Sequence, residues 1–165
     1  MSEASRWHIR RALPHEAAQL SKLAMRSKAH WGYPDQFMHA CRDELTLDKP
    51  YIENNPVYVA EHAGRVIGFY ALEHVSASEA ELGYLFVEPG FIGNGCGRRL
   101  IDHAKQQARK CEYTKIIIQG DPNAEQFYRA AGGILVGRRE SASIPGRKLP
   151  LFQIGLDPSM ACNKA

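Results

Sequence analysis

The sequence predicts an α+β fold. Three observations carry that prediction: strand-like apolar runs share the chain with segments of helical period, three such runs follow one another between residues 57 and 87, and a glycine-dense turn then leads into an amphipathic helix.

The elements follow in order. Trp7 to Arg11 alternates and reads as a first strand. Leu13-Pro14 opens a helix over His15 to about Ala29, since proline suits a first helical turn; Leu20, Leu23, Ala24 and Ser27 form its inner face. His30-Trp31-Gly32-Tyr33-Pro34 is a loop by its glycine and proline, and a second helix runs from about Asp35, its N-cap, to Leu47. Val57 to Glu61 and Val66 to Val75 flank the turn signal His62-Ala63-Gly64-Arg65, which predicts an antiparallel hairpin, and Ser76-Ala77-Ser78 turns the chain into a third strand, Glu79 to Val87. Pro89-Gly90 stops that strand. A helix starts at about Gly97, with Leu100, Ile101, Ala104 and Ala108 on one face and Arg98, Arg99, Asp102, Lys105 and Gln106 on the other. Ile116 to Gln119 is a short buried strand, Asn123 to Ala131 a helix ended by Gly132-Gly133, and Ile134 to Arg138 with Leu149 to Ile154 a closing pair of strands.

Length and composition limit the reading. The 165 residues suit a single domain spanning 1–165, and 44% hydrophobic with 24% charged residues are globular values. There is no apolar run after a basic start and no stretch of membrane-spanning length, so a soluble, cytoplasmic chain that does not bind membranes is expected. Cys41, Cys96, Cys111 and Cys162 form no C-x-x-C pair and read as reduced thiols. His8, His15, His30, His39, His62 and His103 show no ligand spacing, so no metal is expected. The net charge of +3 is uneven: residues 1–96 carry 9 Lys/Arg against 12 Asp/Glu, and residues 97–165 carry 12 against 6. A basic half suits an anionic ligand. Because the basic residues form no block and no interleaved aromatic pattern, a nucleic-acid partner fits poorly.

The turn after the third strand is the first chemical site. Gly93, Gly95 and Gly97 stand at a helix mouth, where the first amides lack internal partners and the macrodipole favours negative charge. Two familiar phosphate turns do not match: G-x-G-x-x-G would need glycine at Arg98 or Leu100, and a P-loop would need Lys where Cys96 stands. Val87-Glu88-Pro89, then Gly93-Asn94-Gly95-Cys96-Gly97 and Leu100, resembles instead the acetyl-CoA pyrophosphate motif of the GNAT superfamily of N-acetyltransferases, Q/R-x-x-G-x-G/A. Ile92 takes the place of the family's Gln or Arg, which removes a side-chain contact and leaves the backbone cradle. Asp121-Pro122-Asn123-Ala124-Glu125-Gln126-Phe127-Tyr128, with Gly132 four residues on, resembles the family's second coenzyme motif, with Gly133 in place of a common Phe.

The resemblance covers nearly the whole chain and implies the GNAT acyl-CoA N-acyltransferase fold, a central mixed, mostly antiparallel sheet flanked by helices. It implies acetyl-CoA as cosubstrate and transfer to a primary amine of a small molecule, peptide or protein, with a homodimer left open. The implied coenzyme site comprises Leu85, Phe86, Val87, Ile92, Gly93, Asn94, Gly95, Cys96, Gly97, Arg98, Asn123 and Phe127. Acetyl transfer must also stabilise an oxyanion, by resemblance near Leu85 to Val87, and protonate the departing thiolate, by resemblance from Tyr128; a phenol of ordinary pKa ~10 stays protonated at neutral pH. An ammonium acceptor must lose a proton first, and Glu81 is the candidate base, with Glu73 and His74 as fallbacks; Glu81 reads equally as a solvated strand residue. Trp31 and Tyr33 either cover the core edge or line the acceptor pocket, and Arg147, in Ser143-Ile144-Pro145-Gly146-Arg147, either anchors an acceptor carboxylate or is a solvated hairpin residue. The alternative function is a non-catalytic acyl-CoA-binding or regulatory module, which Ile92 favours and Tyr128 disfavours.

Overall fold

A computed structural model describes residues 7–157. Seven strands form one sheet in the order β1-β2-β3-β4-β5-β7-β6, with β1 Trp7–Arg11, β2 Val57–His62, β3 Arg65–His74, β4 Glu79–Val87, β5 Lys115–Gln119, β6 Ile134–Glu140 and β7 Lys148–Gly155. β4 pairs parallel with β5, whereas β1–β2, β2–β3, β5–β7 and β6–β7 are antiparallel. Five helices accompany them: α1 Ala17–Ala29, α2 Asp35–Ala40, α3 Lys49–Asn54, α4 Cys96–Lys110 and α5 Glu125–Ala130. The α+β class and the succession of the seven strands along the chain agree with the sequence reading. None of these helices is long and apolar enough to cross a membrane.

The described chain divides into two compact units, residues 7–71 with 84–100 and residues 72–83 with 101–157. In the first, α1 buries Leu20, Leu23, Ala24 and Ser27, as its periodicity predicts, and β2 and β3 bury Val57, Val59, Ile67, Phe69 and Tyr70. In the second, Ile101, Ala104 and Ala108 of α4 are fully buried, as are Ile116 and Phe152 of β5 and β7.

Residues 35–56 correct the sequence reading. The helix expected over Asp35 to Leu47 ends at Ala40, a 3-10 turn covers Asp43–Leu45, and Pro34 rather than Asp35 occupies the N-cap. Where the expected helix would have ended, the Ser21 hydroxyl accepts from Leu47 N at 2.8 Å, with its own proton 2.8 Å from Ala17 O and 3.2 Å from Leu47 O by heavy-atom distance, so residue 47 bonds to α1. A third helix, α3, had no counterpart in the expectation. Its signal was present, since Asp48 caps it by accepting from Tyr51 N at 2.9 Å and Pro50 lies in the first turn.

Candidate active site

β4 and β5 hold register over three pairs, Glu79 with Lys115, Ala80 with Ile116 and Glu81 with Ile117. Leu82 onward leaves this ladder. At the end of β4 the chain is fixed by Glu88, whose N–H donates to Ile67 O at 2.8 Å. Its carboxylate accepts from Arg26 of α1, Nε to Oε1 at 2.8 Å and Nη2 to Oε2 at 2.7 Å. Those hydrogen bonds hold the Glu88 carboxyl below its ordinary range, against the opposing effect of burial.

Beyond Glu88 a 3-10 turn, Pro89–Phe91, leads to the glycines. Gly93 and Gly95 have φ of +88° and +86°, a left-handed conformation that strains other residues, and a Cβ added at either would meet no atom within 4 Å. Space at this mouth is therefore open. Arg99 N donates to Gly95 O at 3.1 Å at the start of α4, so the amides of Cys96 and Gly97 lie in the first turn, ahead of the regular helical ladder. Open space, paired left-handed glycines and the positive end of a 15-residue helix fit a diphosphate. Ile92 and Asn94 are exposed here, whereas Cys96 is buried and its thiol is pushed up to about 12 by desolvation, which leaves its backbone N–H as its functional group.

Two residues that the sequence reading overlooked hold this mouth in place. One is Arg26. The other is Gly68 of β3, where an added Cβ would stand 3.0 Å from Leu100 Cδ1, 3.1 Å from Cys96 Sγ and 3.1 Å from Phe86 O. Glycine here lets the first turn of α4 sit directly on the strand. An isolated glycine inside a strand pattern was the available signal.

In the second unit, Asp121 accepts from the backbone N–H and the side-chain amide of Asn123 at 2.9 and 3.0 Å, capping the turn into α5. Tyr128 follows within α5, packed edge-on against Phe127 and tilted against Phe152, with centroids 5.2 and 5.8 Å away. Gly120 lies so close that a Cβ there would be 3.1 Å from the Tyr128 ring. Burial, aided by the charge of Asp121, raises the Tyr128 pKa and keeps the phenol neutral. The helix closes on Gly132 (φ +100°), with Gly133 N donating to Tyr128 O at 2.8 Å and Gly132 N to Arg129 O at 3.1 Å, a Schellman arrangement.

The other candidates are placed individually. Glu81 is held by Arg139, whose Nη1 lies 3.0 and 3.2 Å from its two carboxylate oxygens and 3.3 Å from Gln119 Oε1. His74 Nδ1 lies 2.7 Å from the Tyr113 hydroxyl. Arg147 Nη2 stands 3.9 Å from Asp121 Oδ2, and the loop before it is tied by Ser141, whose hydroxyl accepts from the N–H groups of Ser143 and Ile144 at 3.2 and 3.1 Å. Tyr33 stacks on Phe37 at 4.1 Å with Lys28 Nζ 5.5 Å from its ring centre, while Trp31 is 45% exposed. Cys41, Cys96 and Cys111 are free thiols; Cys162 lies outside the described residues.

Residues 53–132 match the family described as "Acetyltransferase (GNAT) domain". The chain is also 31% identical over 146 residues to the 5-NmdU N-acetyltransferase of Pseudomonas phage PaMx11, covering 88% of this chain and 96% of that one. The chain belongs to the GNAT family of N-acetyltransferases. It is 30% identical over 117 residues to the peptidyl-lysine N-acetyltransferase YjaB of Escherichia coli K12, covering 68% of this chain and 73% of the relative. Among solved structures, the PaiA N-acetyltransferase of Thermoplasma acidophilum in complex with coenzyme A superposes with a TM-score of 0.75 at 17% identity, covering 94% and 99% of the two chains, which shows the shared fold. This GNAT chain is accordingly an N-acetyltransferase, and acetyl-CoA is its cosubstrate.

Proposed function

We propose that this GNAT enzyme acetylates a primary amine carried by a small molecule or by a peptide or protein, with Tyr128 as general acid. The observation that carries the reading is the Tyr128 phenol, which burial keeps protonated and so able to donate. Acetyl-CoA supplies the acetyl group as a thioester. The mouth formed by Gly93, Gly95 and the N–H groups of Cys96 and Gly97 binds its diphosphate, and Asn94 and Ile92 border that mouth. Leu85, Phe86 and Val87, past the end of the β4–β5 ladder, offer main-chain groups for the pantetheine arm and the thioester carbonyl; for Asn123 and Phe127 of the second unit, a coenzyme role rests on the resemblance to the family's second motif alone. The neutral amine adds to the acetyl carbonyl to give a tetrahedral oxyanion; as that collapses, the carbon–sulfur bond breaks and the Tyr128 hydroxyl proton passes to sulfur, while the nitrogen loses its extra proton to solvent and solvent reprotonates Tyr128, which leaves the amide and the free thiol of coenzyme A.

Trp31 and Tyr33 are proposed as walls for the acceptor, Trp31 by its exposure. For Arg147 and Glu81 the contacts favour the plainer of the two readings. Arg147 faces Asp121, and the Glu81 carboxylate is engaged by the Arg139 guanidinium at 3.0 Å. Removal of the ammonium proton is then left to water.

The named acceptors of the two relatives, 5-NmdU and peptidyl-lysine, define the assay. Thiol release from acetyl-CoA is measured across 5-NmdU, lysine peptides, amino acids and simple amines, alongside melting with and without acetyl-CoA. An amine-dependent release with a raised melting point supports the proposal. If acetyl-CoA raises the melting point and no primary amine accelerates release, the proposed acceptor class is wrong.

A further inference from the structure

Within the second unit β5 ends at Gln119, and the next residue, Gly120, continues its pairing with β7 by donating from N–H to Pro150 O at 3.0 Å. Backbone geometry does not call for glycine here, since its φ lies outside the left-handed region. Space does. A Cβ on residue 120 would stand 3.1 Å from both Cδ2 and Cε2 of Tyr128 and 3.3 Å from Cε2 of Phe152, closer than the roughly 3.5–4.0 Å at which carbons attract. A methyl group there has to push the phenol ring aside.

Among the described residues none hydrogen-bonds the Tyr128 hydroxyl, so packing alone sets the position of the ring. Its aromatic neighbours are Phe127 and Phe152, and both Phe152 and Tyr128 are buried, so a close-packed interior resists a shift of either ring. At the main-chain end, Gly133 N–H donates to Tyr128 O at 2.8 Å, and a Cβ on Gly133 would come within 2.7 Å of that oxygen. With its backbone pinned there, Tyr128 yields to a methyl group at 120 by turning about its side-chain bonds, and the hydroxyl, the atom farthest from the backbone, moves most. We propose that Gly120 is a positioning residue for the general acid: the side chain it lacks lets the Tyr128 ring lie against the end of β5 and so holds the phenolic proton where it can reach the departing sulfur. The proposal rests on the reading of Tyr128 as general acid and adds to it the residue that aims the donor. Proton transfer works over heavy-atom separations of about 2.6–3.2 Å, so a displacement of a few tenths of an ångström is felt there before it is felt in binding.

The test is a double-mutant cycle on Gly120→Ala and Tyr128→Phe, read as kcat and as KM for acetyl-CoA with the amine that best accelerates thiol release, and with ligand-free melting as the folding control. In the wild-type background Gly120→Ala lowers kcat by about 5- to 50-fold, the scale for a donor displaced by less than an ångström, and changes KM for acetyl-CoA by less than about twofold. In the Tyr128→Phe background the same substitution lowers kcat by less than about twofold, because no phenolic proton remains to be misdirected. A role in the fold alone would give equal falls in both backgrounds. That result, or wild-type kcat in Gly120→Ala, overturns the proposal. Should Gly120→Ala fail to fold, Gly120→Ala combined with Phe152→Leu gives the ring room to yield, and the same cycle is run from Phe152→Leu. Tyr128→Phe separates the two readings: if it turns over like wild type, the general-acid reading falls and this one with it, whereas a slow Tyr128→Phe with equal falls in both backgrounds leaves the general acid standing and removes only the role of Gly120.

Discussion

Arg26 of α1 grips Glu88 with two hydrogen bonds, 2.8 and 2.7 Å long, at the point where β4 gives way to the glycine turn. A paired guanidinium–carboxylate contact of this kind fixes direction as well as distance. The Glu88 side chain is about one-tenth exposed, whereas that of Arg26 is half exposed, so solvent screens part of the attraction. Arg26→Ala should therefore cost about 1–2 kcal/mol of stability and weaken acetyl-CoA binding by loosening the turn. The Glu88 carboxyl is held below its ordinary value near 4.5, so its contribution is fully present above that pH and is lost as pH falls through the lower folded value. Melting points measured from pH 3 to 7 should fall less steeply on the acid side in Arg26→Ala. Part of the slope remains, since Glu16, paired with Arg10, is shifted the same way. An identical acid slope in the two proteins would show that the pair contributes nothing.

Gly68 makes a second positional demand on the same turn. A methyl group there meets Leu100, Cys96 and the Phe86 carbonyl at 3.0–3.1 Å; the first two are side-chain ends, whereas the Phe86 carbonyl is backbone. Gly68→Ala should destabilise the fold by about 1–3 kcal/mol, the usual cost of overpacking, and should raise the dissociation constant of acetyl-CoA. Unfolding by urea and calorimetric titration measure the two effects. Full stability with unchanged affinity would mean that α4 shifts without consequence for its mouth.

Much of this was legible in the sequence because the relevant signals are local. Strand alternation, the helical stripe Leu100, Ile101, Ala104, Ala108 and the glycines at 93, 95 and 132 each depend on neighbours within a few residues. What escaped depends on distant partners. Arg26 and Glu88 are 62 positions apart, and Leu47, the expected end of the second helix, bonds instead to Ser21, 26 positions away. Glu81 could not be weighed as a base without Arg139, 58 positions on, nor Arg147 as an anchor without its neighbour Asp121.

Tyr128→Phe tests the general acid. The ring keeps its contacts with Phe127 and Phe152, so stability changes little, while loss of the phenolic proton should lower the turnover number by roughly 10²–10⁴-fold with a smaller change in KM for acetyl-CoA. Since burial raises the phenol pKa above 10, wild-type turnover should show no loss of this donor as pH is raised to about 10. Equal turnover at saturating substrates would reduce Tyr128 to a packing residue.

Glu81→Gln separates a base from a strand carboxylate that serves Arg139. Gln keeps an acceptor for the guanidinium, so the contact survives in weakened form. With amine deprotonation left to water, the turnover number should change by less than about threefold and the acid limb of the pH profile should stay where it is, against the 10²-fold or greater loss of a general base. A loss of that size, together with a displaced limb, would restore Glu81 as the base.

Arg147→Ala decides whether the loop after β6 reads the acceptor's charge. Arg147 stands 3.9 Å from Asp121, and both side chains are less than one-fifth exposed, so an acceptor carboxylate would have to share the guanidinium with a carboxylate already in place. Its backbone also closes the loop: Ser141 N donates to Arg147 O at 2.7 Å and Arg147 N to Ile144 O at 3.2 Å. Truncation leaves those backbone bonds and removes the charge opposite Asp121, which itself caps the turn leading to Tyr128. The expected result is therefore a similar fall in kcat/KM for an amino acid and for its carboxamide. A selective loss with the acid, tenfold or more beyond that with the carboxamide, would instead establish Arg147 as a carboxylate anchor, since a paired charged hydrogen bond is worth at least about 1.4 kcal/mol.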